Sequence, residues 1–140
     1  SIRSFYGTDP AQSGDYGRMV NDAHFQRLTS LLKCGRTVCG GQSNADDRYI
    51  APTVLTDVPM ESDIMREEIF GPVLPVIPFK QLEEPMRWMR LQPAPLAAYV
   101  FTSDARTERQ LAASTRSGAF IVNDVVSHAA VKTLPFGGVG

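Results

Sequence analysis

The chain has 140 residues, a net charge of −1 and a hydrophobic content of 43%. Its 14 basic residues are matched by 15 acidic ones, so it lacks the cationic excess that is typical of nucleic-acid-binding proteins. No stretch approaches the roughly 18 consecutive apolar residues of a membrane span, and the ordinary apolar content argues against intrinsic disorder.

The two cysteines, Cys34 and Cys39, have no second pair of cysteine or histidine ligands nearby. Their spacing therefore predicts neither a zinc site nor a disulfide framework, and we expect a reduced, cytoplasmic protein without a metal. The chain begins at Ser1 and ends within the glycine-rich stretch Gly138–Gly140. Since natural domains seldom end inside a turn signal, we expect a piece of a longer protein.

The first predicted helix follows an irregular N-terminus. Glycine and proline make residues 1–14 loop-like. Apolar side chains then recur at three- and four-residue steps, which predicts a helix from Asp15 to about Lys33. Asp15 is the predicted N-cap, because its carboxylate can accept from the amides of the first turn, and Gly35 is the predicted stop. His24 falls on the polar side of this helix and is expected to be a surface residue.

Short β-strands are predicted next along the chain. Residues 37–39 fit a short strand, and residues 40–44 fit a turn. The segment 49–58 is rich in β-forming residues. Pro52 restricts that segment to an edge strand or an irregular one, because proline cannot donate to a sheet ladder.

Three apolar runs follow in the second half of the sequence: residues 73–79, 97–101 and 119–122. Continuous apolar runs of this length are typical of buried parallel strands. Pro75 and Pro78 oppose that interpretation for the first run, since each would remove a hydrogen-bond donor from the ladder.

Two helices are predicted between these runs. Residues 82–89 carry one apolar face, with Pro85 tolerated if it falls in the first turn. Ser103 or Asp104 can cap a second helix that extends to about Thr115. The alternation predicts an α/β fold, a partial Rossmann-like parallel sheet with crossover helices.

Two loops are candidate ligand sites. In residues 65–72, an ionised Glu68 could accept from both hydroxyls of a ribose while Phe70 packs beside a flat ring. Physics alone favours a simpler interpretation, a solvated glutamate pair and a core phenylalanine. Residues 134–140 form the second loop, where glycines permit close approach of a ligand, and Phe136 fits a pocket wall and a core position equally well.

The remaining reactive side chains do not form a catalytic constellation. His128 lies between the last strand and the second loop without a fixed nucleophile or metal partner, which is usual for a structural histidine. Lys33 and Arg36 are the only cations beside Cys34 in sequence, which is too little to predict a thiolate nucleophile. The residues alone predict an α/β protein with two candidate ligand loops and no reaction.

Six motifs, in order along the chain, resemble those of aldehyde dehydrogenases. Residues 67–73, Glu-Glu-Ile-Phe-Gly-Pro-Val, look like that family's Glu-Glu-Ile-Phe-Gly-Pro signature. The others resemble the class 3 branch, which includes the fatty and aromatic aldehyde dehydrogenases: residues 15–18, 48–55, 95–97, 123–125 and 135–140. The resemblance runs from about Phe5 to Gly140 and implies that residues 1–140 are the C-terminal part of the family's catalytic domain.

This resemblance implies oxidation of aldehydes to carboxylic acids with NAD or NADP, through a cysteine thiohemiacetal. Glu68 matches the carboxylate that binds the nicotinamide-ribose hydroxyls, and Phe70 matches the aromatic beside the nicotinamide. Phe136 matches an aromatic of the substrate tunnel. Asn123 lies in the strand-end segment leading to that pocket, and His128 is expected to line the substrate entrance.

The family's nucleophilic cysteine, general base, oxyanion asparagine and cofactor domain all precede the matched region. Neither Cys34 nor Cys39 corresponds to the nucleophile, so we expect no catalytic residue here and no activity from the chain alone. The resemblance implies a homodimeric parent, with membrane attachment through a C-terminal tail beyond this region. Arg66 replaces the family's usual glutamine, and we expect it to pair with Glu67.

Two alternatives compete with this interpretation. The first is a non-catalytic, truncated relative that acts only as a structural or dimerisation module, which is suggested by the missing nucleophile. The second is an unrelated α/β domain that shares short strings with the family by chance.

Overall fold

A computed structural model describes residues 1–134 and 137–139, which form two compact units, Ser1–Pro78 and Phe79–Gly140. The helices and strands of the first unit are α1 (Ile2–Tyr6), α2 (Asp22–Leu31), β1 (Arg36–Cys39), β2 (Ser43–Asn44), β3 (Tyr49–Ile50), β4 (Thr53–Thr56) and β5 (Val73–Pro75). Those of the second are α3 (Glu83–Leu91), β6 (Ala97–Val100), α4 (Ala105–Ser114) and β7 (Ala119–Val122). Among the helices of the described residues, none is long and apolar enough to cross a bilayer.

The main sheet of the first unit has the order β1-β4-β5. β1 runs antiparallel to β4, and β5 runs parallel to it. Thr53, at the start of the central strand, is only 2% exposed. Its N–H donates to the carbonyl of Pro72 (2.8 Å), and its hydroxyl donates to Ala51 (2.7 Å) and accepts from the N–H of Gly41 (2.9 Å). The buried polar groups at this end of the strand are therefore satisfied.

The core of the first unit lies between α2 and the sheet. Leu28 on α2 is completely buried, as are Ile50 and Leu55. The other core members are Phe25, Leu31, Val58, Ile64 and Val73. Burying a large apolar side chain of this kind stabilises the fold by about 1.5–3 kcal/mol. Packing of one face of α2 therefore fixes the position of the helix.

An irregular segment precedes α2, and the predicted helix start at Asp15 is wrong. The Tyr16 hydroxyl donates to the carbonyl of Ile50 at 2.7 Å, and burial raises the pKa of that hydroxyl. Arg18 pairs with Asp47 (Nε to Oδ2, 2.7 Å). These long-range contacts outweigh the local helical pattern. The helix begins after Asn21, whose side chain accepts from the N–H of His24.

Other boundaries in the first unit also differ from prediction. Residues 2–6 form α1 instead of a loop, and Ser43–Asn44 form a strand instead of completing a turn. Pro52 interrupts the predicted segment between β3 and β4, which agrees with the irregular alternative. Since β4 is central in its sheet, the edge alternative is wrong. The apolar run from residue 73 is a strand only as far as Pro75.

The second unit contains a parallel pair of strands. β6 and β7 pair from Ala97 opposite Ala119 to Val100 opposite Val122, with α4 between them in sequence. The α/β class with parallel strands is confirmed. The first of the three apolar runs forms β5, which pairs with β4 instead of with β6 or β7. Pro85 lies in the first turn of α3, as predicted.

Helix α4 has the predicted cap, Asp104. The hydroxyl of Thr107 donates to the carboxylate at 2.7 Å, and the N–H groups of Arg106 and Thr107 donate at 2.9 and 3.2 Å. These bonds, that of the hydroxyl first, hold the pKa of Asp104 below its ordinary value of 3.8. The cap therefore stabilises the folded chain above that value and loses its effect as pH falls through the lower folded-state pKa.

We expect Asp104→Asn to remove this dependence, since asparagine also caps helices but does not titrate. The free energy of unfolding of the wild type, measured from neutral to acidic pH, should fall more steeply than that of the variant. Parallel curves for the two proteins would contradict the assignment.

Candidate functional site

The loop over residues 66–72 lies between a short 3-10 helix, Asp63–Met65, and strand β5. The side chain of Glu68 is exposed, and that of Phe70 is 75% exposed. The interpretation of Phe70 as a core residue is therefore wrong. Both predicted cofactor-binding side chains project into solvent from a loop that precedes a strand of the sheet.

The main chain of this loop is bound by two side chains of α2. The ring Nε2 of His24 lies 2.8 Å from the carbonyl oxygen of Phe70. Arg27 donates from Nη2 to the carbonyl of Ile69 at 2.5 Å and from Nη1 to that of Glu68 at 3.4 Å. Three consecutive carbonyls thus accept hydrogen bonds from one helix. His24, predicted to be a surface residue, is half-buried and takes part in this contact.

The backbone of Phe70 adopts a left-handed conformation, with φ of 49°. For a residue other than glycine, such a conformation costs about 1–3 kcal/mol and persists only where the surroundings hold it. The His24 ring also contacts the Phe70 ring edge-on, with centroids 6.3 Å apart at 66°. The hydrogen bond and the ring contact together offset the cost of this backbone conformation.

The two carboxylates of the loop, Glu67 and Glu68, are both exposed. Arg66 lies 3.6 Å from Asp63 (Nη1 to Oδ1), so the expected pair between Arg66 and Glu67 is wrong. Both partners of that pair are well exposed, and such pairs add little stability. Within residues 1–134 and 137–139, no side chain bonds to the carboxylate of Glu68. Its oxygens are accordingly available to accept from a ligand.

Asn123 follows β7 and has a left-handed backbone, with φ of 56°. Its side chain accepts from the N–H of Thr102 and donates to the carbonyl of the same residue, both at 2.9 Å. Both functional groups of the amide therefore link two strand ends. The predicted position of Asn123 beside a substrate pocket stays a prediction. The other predicted tunnel residue, Phe136, lies outside the described residues.

His128 lies in a 3-10 helix, Ser127–Ala130, and its ring centroid is 6.0 Å from that of Tyr99. Its buried Nδ1 has no hydrogen-bond partner among the residues that the structure describes. Asp124, nearby in sequence, accepts from the Ser127 hydroxyl at 2.5 Å, and this bond lowers the pKa of the carboxyl. The predicted role of His128 at the substrate entrance stays a prediction.

Neither the thiols nor the acidic residues form a second site. Cys34 is half-buried and Cys39 exposed, and both are free thiols. Nowhere in the described part of the chain do three histidine, cysteine or acidic side chains cluster in a way that could hold a metal ion. A surface depression near the N-terminus is lined by Asp9, Gln42 and Tyr49, and neither Glu68 nor Phe70 lines it.

Comparison with known proteins decides the family. Residues 3–140 match the model of the aldehyde dehydrogenase family. The chain belongs to the aldehyde dehydrogenase family. A dimeric NADP-preferring aldehyde dehydrogenase of Rattus norvegicus is 46% identical over all 140 residues, which cover 31% of its length. Human aldehyde dehydrogenase family 3 member B1 is also 46% identical over the whole chain, which covers 30% of it.

A solved aldehyde dehydrogenase structure agrees with this assignment. The substrate-bound AldH of Staphylococcus aureus superimposes with a TM-score of 0.94 at 44% identity, covering 99% of this chain and 31% of that one. The resemblance to the class 3 branch is thus confirmed, and the chain spans about a third of the length of these relatives. The second alternative, an unrelated domain with chance similarities, is excluded by matches that cover the whole chain.

Proposed function

We propose that this chain is the part of an NAD(P)-dependent aldehyde dehydrogenase that binds the nicotinamide ribose and borders the substrate tunnel. The observation that carries the proposal is the loop around Glu68 and Phe70. Its main-chain carbonyls are engaged by α2, while the side chains of Glu68 and Phe70, which occupy the matching motif positions, are exposed. Rigid backbone with accessible side chains is the arrangement that a cofactor-positioning loop requires.

Glu68 and Phe70 suit the two parts of a nicotinamide riboside. An ionised carboxylate has two acceptor oxygens, which match a pair of vicinal hydroxyls. An exposed aromatic ring two residues later can pack beside a flat heterocycle. We assign the ribose hydroxyls to Glu68 and the nicotinamide face to Phe70. The bound cofactor supplies the hydride acceptor, and these residues fix its position.

The chemical step in this proposal uses groups beyond the present residues. A cysteine thiolate adds to the aldehyde carbon, and the resulting thiohemiacetal loses hydride to give a thioester. Water then hydrolyses the thioester to the carboxylic acid and regenerates the thiol. The net reaction consumes an aldehyde, oxidised cofactor and water, and it yields the acid, reduced cofactor and a proton. No residue of this chain is assigned as nucleophile or base.

Three further assignments belong to the same proposal. NAD or NADP is the cofactor, and the name of the rat relative supports use of NADP. A homodimeric parent is supported by the word dimeric in that name. A cytoplasmic location is supported by the two free thiols, since reduced cysteines are usual in that compartment. Membrane attachment through a further C-terminal segment is proposed from the class 3 resemblance.

The test is an activity assay of the longer protein that carries this sequence and of the 140 residues alone. With hexanal and either NAD or NADP, we expect the longer protein to form NADH or NADPH and the isolated chain to form none. Turnover by the isolated chain would contradict its assignment as a cofactor-positioning part. A longer protein that binds neither cofactor would instead favour the structural or dimerisation module.

A further inference from the structure

We propose that His24 and Arg27 are positioning residues for hydride transfer, because they hold the main chain of the loop that carries Glu68 and Phe70. This inference rests on the proposed function, in which that loop binds the nicotinamide riboside. It adds a residue pair whose shown bonds are to the main chain of the loop. The pair acts through the carbonyl groups of residues 68–70.

The hydrogen-bond requirements of the loop select one form of the His24 ring. A carbonyl oxygen only accepts, so the ring Nε2 that lies 2.8 Å from the Phe70 oxygen carries the hydrogen. An arginine only donates, so the ring Nδ1 that lies 3.4 Å from Arg27 Nη2 is the acceptor. The neutral Nε2–H tautomer is the form that satisfies both neighbours. The His24 ring thereby links the Arg27 guanidinium to the loop through two hydrogen bonds.

Arg27 completes the arrangement with the fixed fork of its guanidinium group. Its Nη2 reaches the carbonyl of Ile69 at 2.5 Å while its Nη1 reaches that of Glu68 at 3.4 Å. A planar fork that bonds two successive carbonyls fixes direction as well as distance. Lysine has no equivalent geometry, because its ammonium is a single point of donation.

The conformation of Phe70 explains why the main chain of the loop requires these hydrogen bonds. Its left-handed φ of 49° is uncommon for a residue with a side chain. The carbonyl of that same residue is the one that His24 binds, and its ring is the one that His24 contacts at 6.3 Å between centroids. If the bond is lost, the backbone can relax toward an ordinary conformation. The Phe70 ring and the neighbouring Glu68 carboxylate would then move together.

The helix can serve as an anchor because its other side is buried. Phe25 is 4% exposed and Leu28 is completely buried, so α2 is fixed to the core of its own unit. His24 and Arg27 stand next to these residues in sequence and bond to the loop. Sites built on packed helices hold their geometry better than sites on loops alone.

The test uses full-length enzyme with His24→Leu and His24→Gln, assayed with hexanal and with NAD or NADP. Leucine removes the donor, whereas the glutamine amide can still donate to the Phe70 carbonyl. For His24→Leu we expect about a three- to tenfold rise in the cofactor KM and a similar fall in the single-turnover rate of NADH formation at saturating NAD, as expected for losing one hydrogen bond. His24→Gln should stay within about twofold of the wild type on the same grounds.

The single-turnover rate constant distinguishes a positioning role from a loss of folded protein. Misfolded enzyme lowers the amplitude of the reaction, whereas the rate constant reports only on the active molecules. Arg27→Met should lower that rate too, and the matched control Arg36→Met should not. Arg36 also pairs through its guanidinium, but with the exposed carboxylate of Asp57 at 2.7 Å. If both His24 variants lose thermal stability and keep the wild-type single-turnover rate, the role is structural and the inference is overturned.

Glu68→Gln in the same assay distinguishes this inference from the proposed function. If Glu68→Gln changes the cofactor KM strongly while His24→Leu keeps the wild-type KM and single-turnover rate, the positioning role alone is overturned. A wild-type result for both would overturn the proposed function and the positioning role together. If His24→Leu and His24→Gln lower the single-turnover rate equally, the positioning role is also overturned. The hydrogen bond donated to the Phe70 carbonyl would then make no difference.

Discussion

Replacement of Glu68 by glutamine in the full-length enzyme is expected to raise the KM for NAD and NADP by about 10- to 100-fold, the range for losing charge-assisted hydrogen bonds. The amide has one acceptor oxygen where the carboxylate has two, and it carries no charge. Since the Glu68 side chain is exposed and its carboxylate has no bonding partner in the described part of the chain, the substitution should leave the thermal midpoint of unfolding unchanged. Steady-state kinetics with each cofactor and calorimetric unfolding measure the two effects.

Glu67 provides the matched control for this experiment. It precedes Glu68 directly, is also exposed and undergoes the same loss of charge when replaced by glutamine. We expect Glu67→Gln to keep the wild-type KM for both cofactors. If the two variants behave alike, the effect is one of net charge on the loop, and the assignment of the ribose hydroxyls to Glu68 fails.

Substitution of Gly71 by alanine should destabilise the protein by about 1–3 kcal/mol, the usual cost of overpacking a core. A Cβ at this position would lie 2.6 Å from Leu28 Cδ1 and 2.8 Å from its Cδ2. Leu28 is completely buried, so its methyl groups cannot rotate away into solvent. The loop must therefore shift outward, and the cofactor KM should rise together with the loss of stability, as measured by denaturant unfolding and steady-state assay.

A double-mutant cycle makes this prediction specific. Leu28→Val removes the methyl groups that the alanine would meet, so the double variant should be more stable than the sum of the two single effects predicts. Gly14→Ala is the neutral control, because a Cβ there has no atom within 4 Å. Strict additivity between positions 28 and 71 would show that the two do not touch.

The elements that were predicted from sequence are those with complete local signals. Asp104, one of the two predicted caps, precedes α4. This was predictable because the capping carboxylate and the donors that it bonds lie within three residues. The start of α2 was not predictable in the same way. Tyr16 continues the apolar spacing of the helix, but its hydroxyl bonds to the carbonyl of Ile50, 34 residues away. Local periodicity does not register a bond of that separation.

The residues of the candidate site show the same contrast between local signals and contacts that are distant in sequence. The motif indicated Glu68 and Phe70 as candidates. It did not indicate the left-handed backbone at Phe70, because phenylalanine has no preference for that conformation. His24 and Arg27 were missed since their partners are 46 and 42 residues away. A possible signal was the pairing of a histidine and an arginine at i and i+3 on the polar side of an otherwise core-packed helix.

The bonds between α2 and the carbonyls of residues 68–70 also define what can be exchanged between related enzymes. A graft of residues 66–72 into another scaffold would carry the side chains of Glu68 and Phe70 but leave behind the donors that bond to the main chain. Such a chimera should retain the motif but bind NAD or NADP more weakly than the parent enzyme. The transferable module is the loop together with the first two turns of α2, two stretches that must be exchanged as a pair.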